Sequence, residues 1–215
     1  TDDPVINRHR HSLKKSIMAT LMLSAGVPMI TMGDEISRTQ NGSNNTYSMP
    51  RDMHVDIADS PETFMGGWAN KWDLNDDELD MREAVAELAR IRKTYLADIA
   101  AEFFTGRVDL GTQRKDIAWF SLGGNEMTDE HWGDGDKRSL TVFIDAGPDR
   151  GLLLLLNSST QETLFTLPNA QWGTSYRRIF DAASPVTLHE PQIQQPEVKV
   201  SVAAHCAQVW LVTRH

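Results

Sequence analysis

Cysteine is almost missing from this sequence: Cys206 is the one cysteine in 215 residues. A lone cysteine excludes an internal disulfide and a cysteine-rich zinc site. A reducing, cytoplasmic compartment is therefore the expectation. Long hydrophobic runs are missing too. No apolar stretch approaches the ~20 residues of a membrane span, so no membrane partner is expected. Basic charge is scarce: 21 Lys and Arg stand against 30 Asp and Glu, for a net charge of −9. That balance disfavours nucleic acid and anionic membrane surfaces as partners. The start, T-D-D-P, has neither a Met nor the basic-apolar-small order of a signal peptide. It reads as a processed chain or a fragment. Without a secretion signal, the glycosylation tripeptides at Asn41, Asn44 and Asn157 read as chance.

Several catalytic signatures are absent as well. There is no Ser-His-Asp arrangement, phosphate-cradling glycine loop or nucleotide fingerprint. No cofactor is implied. His9 and His11 are two residues apart, which puts their rings on different helix faces, so metal ligation with His54 is not expected. Residues 126–136 are acidic but lack the spacing and final Glu of a calcium loop. They read as a solvated connection between strands.

What is present is an ordinary globular composition, 40% hydrophobic and 24% charged. Residues 5–25 have helical apolar spacing and end at Gly26 and Pro28. Their first half is basic, with Arg8, Arg10, Lys14 and Lys15, and reads as a solvated or ion-paired face. Residues 27–32 are an apolar run, predicted to be a buried strand. Gly33 ends it, and a polar loop follows to Tyr47. The loop opens with Asp34-Glu35 and carries Arg38, Gln40, Asn41, Asn44, Asn45 and Tyr47. Amides, guanidinium and an aromatic ring suit a partner made of hydroxyl groups. A polar surface loop held by Asn and Gly turns fits the same composition. Asp34 and Glu35 are adjacent, so on a strand they would face opposite sides and not act on one bond together. Structural hydrogen bonding at the strand end is the simpler role.

Residues 48–77 are irregular. At Asn75 and Glu78 a capping-box spacing predicts a helix running to about residue 98. Beyond residue 100 the period changes to short branched and aromatic runs. Strands are predicted at 117–122, 140–144, 152–156, 162–167, 176–180, 186–189, 198–202 and 208–213, with no helix. This is an antiparallel β-sandwich pattern. Trp119 and Trp210 lie on strands and read as core, and Cys206 as a small buried hydrophobe. One strand and two helices do not make a sheet. The first part is therefore expected to belong to something larger or to be held by a partner.

The run Gly33-Asp-Glu, followed by R-T-Q-x-G-x-N-N-x-Y ending at Tyr47, resembles the bacterial glycogen debranching enzymes. These are isoamylase-type members of the α-amylase superfamily. The resemblance extends through A-T-L-M-L-S-A-G-V-P-M, R-E-A-V-A-E-L-A-R-I-R-K, D-I-A-W-F, E-M-T-D-E-H-W and L-L-L-L-L-N-S. It implies an α/β part followed by an all-β part. Residues 1–102 would be the end of a (β/α)8 barrel: helix seven, strand eight and helix eight. Residues 103–215 would be the C-terminal β-sandwich. It also implies hydrolysis of α-1,6 branch linkages in glycogen or limit dextrin by a retaining mechanism with paired carboxylates. Those carboxylates would lie upstream, so none is expected in this chain, and the chain alone should be inactive. Glycogen or a branched α-glucan, and the upstream barrel of the same polypeptide, are the implied partners. Active sites of such barrels sit beyond the strand C-termini. Arg38, Asn44, Asn45 and Tyr47 would then contact glucan, while Asp34 and Glu35 organise the loop. After Tyr47 the family pattern departs, with Ser48-Met-Pro-Arg-Asp in place of Cys-Gln-Asp-Asn. The alternative is a non-catalytic glucan-binding or structural module, with Trp132 or Trp172 as stacking platforms.

Overall fold

The structure is a computed structural model that describes residues 1–38, 74–97, 103–186 and 192–214. Helix α1 spans Pro4–Leu23. Asp3 caps it by accepting from the Val5 and Ile6 amides at 2.8 and 3.2 Å, and Pro4 costs nothing in the first turn. Helix α2 spans Asp76–Tyr95 and starts with the predicted capping box. Asn75 Oδ1 accepts from the Glu78 amide at 3.0 Å, and Glu78 Oε2 accepts from the Asn75 amide at 2.8 Å. The two helices pack on each other and carry one buried seam that includes Met18, Met22, Leu23, Met81, Ala84, Leu88 and Ile91.

The other elements are β1 (Ile117–Phe120), α3 (Asp129–Gly133), β2 (Ser139–Asp145), β3 (Arg150–Asn157), β4 (Thr163–Thr166), β5 (Ser175–Asp181), β6 (Ile193–Gln194), β7 (Lys199–Val202) and β8 (Cys206–Thr213). They form a six-stranded sheet in the order β1-β2-β3-β8-β5-β6 and a two-stranded sheet, β4-β7. Among the described residues every strand pairing is antiparallel. The middle strands β3 and β8 are buried almost end to end. That is why they read as near-continuous apolar runs instead of alternating ones. The β4–β7 pair buries Phe165, Val200 and Val202 in the same core, and α1 lies along β8.

Polar groups tie the helices to the sheet domain. Lys15, 1% exposed, donates to Asp80 Oδ2 at 2.7 Å and to the Ser184 carbonyl at 2.9 Å. His11 Nε2 meets the same carboxylate oxygen at 2.6 Å, and the Val186 amide donates to Asp80 Oδ1 at 3.0 Å. Ser16 Oγ accepts from the Ala207 amide at 2.9 Å. The Arg92 guanidinium donates to the carbonyls of Met22, Ser24 and Gly26. It thus satisfies the open carbonyls at the end of α1.

The sequence expectations are corrected in five places. Residues 27–32 form no strand: Val27 is 88% and Met29 83% exposed. A parallel strand is held by ladders on its flanks, and no described strand lies beside this one. Lys15 is buried and ion-paired with Asp80, so the ion-paired reading holds there and the solvated one does not. Val186 lies in a helical turn, and the rest of the expected 186–189 strand lies outside the described residues. Residues 126–136 contain α3, whose capping box joins Thr128 and His131. Strand β6, an edge pair of two residues, is too short to show a period.

Candidate functional site

Gly33 ends the apolar run with φ +96°, a left-handed turn that favours glycine. A Cβ there would meet Arg38 Cδ at 3.0 Å. The turn Asp34–Ile36 follows, closed by the Arg38 amide donating to the Gly33 carbonyl at 2.9 Å. Both carboxylates bond inside this turn. Asp34 Oδ2 accepts from the Thr31 amide at 3.1 Å and Oδ1 from Arg38 Nε at 2.7 Å. Glu35 Oε2 accepts from the Gly33 amide at 2.8 Å. The acids therefore fix the backbone and aim Arg38. Arg38 Nη1 is buried without a partner among the described residues. The guanidinium borders a hollow of about 230 Å³, walled by Ile17, Leu21, Ile30 and Met81. A donor left open beside an apolar wall is able to bind a hydroxyl.

Gln40, Asn41, Asn44, Asn45, Tyr47, His54, Trp68 and Trp72 lie outside the described residues. Of the residues singled out on the polar loop, the structure brings together Asp34, Glu35 and Arg38. Trp172 is 5% exposed and packs edge-on against Phe120 and Phe143 at 4.9 and 5.0 Å, so it is core and not a platform. Trp210 is fully buried. Trp119, expected in the core, is 37% exposed and meets Trp132 edge-to-face at 5.8 Å. Burial alternates along β1, and Trp119 lies on the face opposite the buried Ala118 and Phe120. Trp132 is 54% exposed. Cys206 is buried, its Sγ 3.4 Å from Asp181 Oδ1, and burial pushes its thiol up to about 12. Such a thiol is inert.

Arg114 is the buried polar group that sequence reading missed. It is 1% exposed and forks onto Asp145, with Nη2 to Oδ1 at 2.9 Å and Nε to Oδ2 at 3.2 Å. It also donates to the carbonyls of Trp172, Gly147 and Arg150 and lies over the Phe143 ring. All of this pins the β2–β3 turn to the loop before β1. It is a structural hub. Nothing in the local pattern around Arg114 marks it, since every partner of its guanidinium is distant in sequence and reached only through folding.

Residues 116–215 match the family model described as "Isoamylase, C-terminal". The sheet domain is thus similar to the C-terminal domain of isoamylases. Relatives extend the match to the helices. A glycogen operon protein GlgX homolog of Mycobacterium bovis is 32% identical over 199 residues, covering 86% of this chain and 26% of its own. A glycogen debranching enzyme of Pectobacterium atrosepticum is 29% identical over 183 residues, covering 85% and 23%. An isoamylase of a Flavobacterium is 30% identical over 172 residues, covering 78% and 20%. The chain therefore spans about a quarter of the length of these relatives. The fold is shared with the catalytic module of SpuA, a glycogen-degrading pneumococcal virulence factor. There the TM-score is 0.56 at 15% identity, over 97% of this chain and 32% of that one. It is shared also with AmyP, solved with maltose, at TM-score 0.56 and 13% identity over 98% and 36%. The chain as a whole is similar to the C-terminal portion of isoamylase-type glycogen debranching enzymes.

Proposed function

We propose that this chain is the C-terminal portion of a glycogen debranching enzyme that hydrolyses α-1,6 branch linkages in glycogen or limit dextrin. The reaction is retaining, and its carboxylates lie upstream of Thr1. The observation that carries the reading is the bare apolar run at 27–32, flanked by two helices that bury only one side. Val27, Met29 and Met32 are more than half exposed, and Ile17 on α1 is 61% exposed. Apolar surface of this extent calls for a covering partner. The rest of a (β/α)8 barrel in the same polypeptide supplies one, with 27–32 as its eighth strand between two neighbours. Residues 1–102 are then barrel and 103–215 sandwich. The turn at Asp34–Arg38 sits beyond that strand's C-terminal end, where barrel enzymes bind substrate. Arg38, Asn44, Asn45 and Tyr47 line the glucan cleft, with Asp34 and Glu35 as organisers. The location is cytoplasmic, with the storage polymer. No described helix is long and apolar enough to cross a membrane.

Reducing-end release from glycogen tests this. The 215-residue chain alone should release none. The longer polypeptide should release branches, and Arg38→Ala in it should lower kcat/KM by about tenfold, as loss of a charged hydrogen bond does. Hydrolysis by the chain alone, or none by the longer polypeptide, overturns the reading.

A further inference from the structure

Trp132 has no structural employment that explains it. It sits on a five-residue helix, is 54% exposed, and touches one other aromatic, the edge-strand Trp119. A large aromatic face left open beside a hollow is informative in a way that a scattered surface leucine is not. The hollow beside it has a volume of about 390 Å³ and runs from Met127 and Trp132 to Arg138. Its floor is the cross-strand pair Leu140 and Leu156 of β2 and β3. Its rim is polar: His131, Asp134, Lys137 and Ser158. A second hollow of about 470 Å³ shares Asp134, Lys137, Arg138 and Ser139 with the first and continues past Ser121 to Thr163. Both volumes fall within the roughly 300–1,000 Å³ of small-ligand sites.

The rim groups are held ready. The Thr128 amide donates to His131 Nδ1 at 3.1 Å, so a neutral His131 carries its proton on Nε2 and keeps a donor free. Asp134 accepts from the Asp136 amide at 3.0 Å, and this bond holds its carboxyl below the usual range. It is an ionised acceptor. Lys137 stands 3.5 Å from it and retains further donors. The charge around the groove then selects the ligand class. The joined hollows set Lys137 and Arg138 against Asp134 and Asp136, so their lining carries no net charge. An anionic polymer or phosphate would lose hydration there with no net attraction to offset it. A neutral polyol meets no such penalty. Its ring faces stack on an indole while its hydroxyls pair with mixed donors and acceptors.

We propose that the groove between Trp132 and Arg138 on the sheet domain binds a run of α-linked glucose units. Trp132 stacks one ring, Trp119 holds the Trp132 plane from its edge, and the Asp134–Lys137 pair takes the hydroxyls of the next unit along the joined hollows. This rests on the debranching reading for the ligand's identity, and it adds a polymer-holding surface to the sandwich. The whole 215-residue chain is the test material. It is run on native gels with and without glycogen, with maltoheptaose as the soluble competitor. The wild-type chain should be retarded by glycogen and released by maltoheptaose. Trp132→Ala should weaken retardation about tenfold, the effect of losing one well-stacked ring. Trp132→Phe should retain an intermediate affinity. Lys137→Ala, at a surface position outside the core, should weaken it roughly threefold, which covers the case in which Trp132→Ala unfolds. Absence of wild-type retardation, or retardation unchanged in Trp132→Ala and Lys137→Ala, overturns the proposal. Neither result touches the debranching reading, which is decided by reducing-end release from the longer polypeptide.

Discussion

The sheet domain and the helical pair close differently. In the sheet domain, β3 and β8 are covered along both faces, and the buried Arg114, Asn157 and Gln208 have partners, with Thr141 Oγ1 left without one among the described residues. In the helical pair, α1 and α2 bury one seam and leave Val5, Ile6, Leu13 and Ile17 in the open. The run at 27–32 is barer still. The sheet domain satisfies most of its own buried groups, whereas the helices are satisfied on one side by β8 and by the Lys15–Asp80–His11 cluster. A buried ion cluster at that seam costs desolvation and returns specificity of docking more than stability. The difference marks the side of the chain on which apolar surface is left bare among the described residues.

The largest expected effect tests the self-contained half. Arg114→Ala would leave Asp145 without its buried cation and the Trp172 carbonyl without its Arg114 donor, while the Gly147 and Arg150 carbonyls keep backbone donors. A loss of about 3–5 kcal/mol in urea unfolding is expected, and the helices should unfold with the sheet. A loss below about 1 kcal/mol would mean the sheet domain closes without its hub.

Asp80→Asn comes next and sharpens the comparison at the seam. Lys15 keeps the Ser184 carbonyl but loses its anion. About 2 kcal/mol is expected, at the low end for a buried pair because Asp80 retains some contact with water. Amide exchange should quicken in α1 and α2 while β3 and β8 stay protected. Equal quickening in the sheet would show one cooperative unit and dissolve the distinction. The pH dependence follows from the same group. Burial pushes the Asp80 carboxyl up, but hydrogen bonds from Lys15, His11 and the Val186 amide outweigh it and hold the carboxyl below its ordinary value. A lowered folded value means the stabilisation is complete above the unfolded value, near pH 4, and is lost as pH falls below it. The wild-type seam should loosen in that acid window, and Asp80→Asn should flatten the response.

The smallest effect concerns the turn that the helices present outward. Gly33→Ala forces a Cβ onto Arg38 at φ +96°. About 1 kcal/mol is expected by thermal unfolding, with no change in sheet protection. A neutral result would mean that Arg38 moves aside easily and is not held by Asp34.

Much of the fold was legible in local pattern. The α2 capping box was readable from Asn75 and Glu78, and seven of the eight strands expected beyond residue 100 coincide with β1, β2, β3, β4, β5, β7 and β8. Strand β6 and α3 were not, because two and five residues carry no period. Of the candidate site, the Asp34–Glu35–Arg38 spacing was visible, but the direction of each hydrogen bond was not. The two aromatic assignments that failed, Trp119 and Trp172, failed for one reason. Whether an aromatic on or beside a strand is core depends on whether its strand is an edge and which face is covered.

By itself the sequence determined the helices, most of the strands, the turn at Gly33 and the kinship with isoamylase-type debranching enzymes. These rest on propensity, spacing and caps, which act over a few residues. The tertiary structure alone decided that Lys15 is buried on Asp80, that Arg114 is the hub of the sheet domain and that Trp132, not Trp172, faces outward. It also decided that residues 27–32 stay bare. A strand exists only when neighbours take its amides and carbonyls, and an apolar run of six residues cannot supply those from within itself.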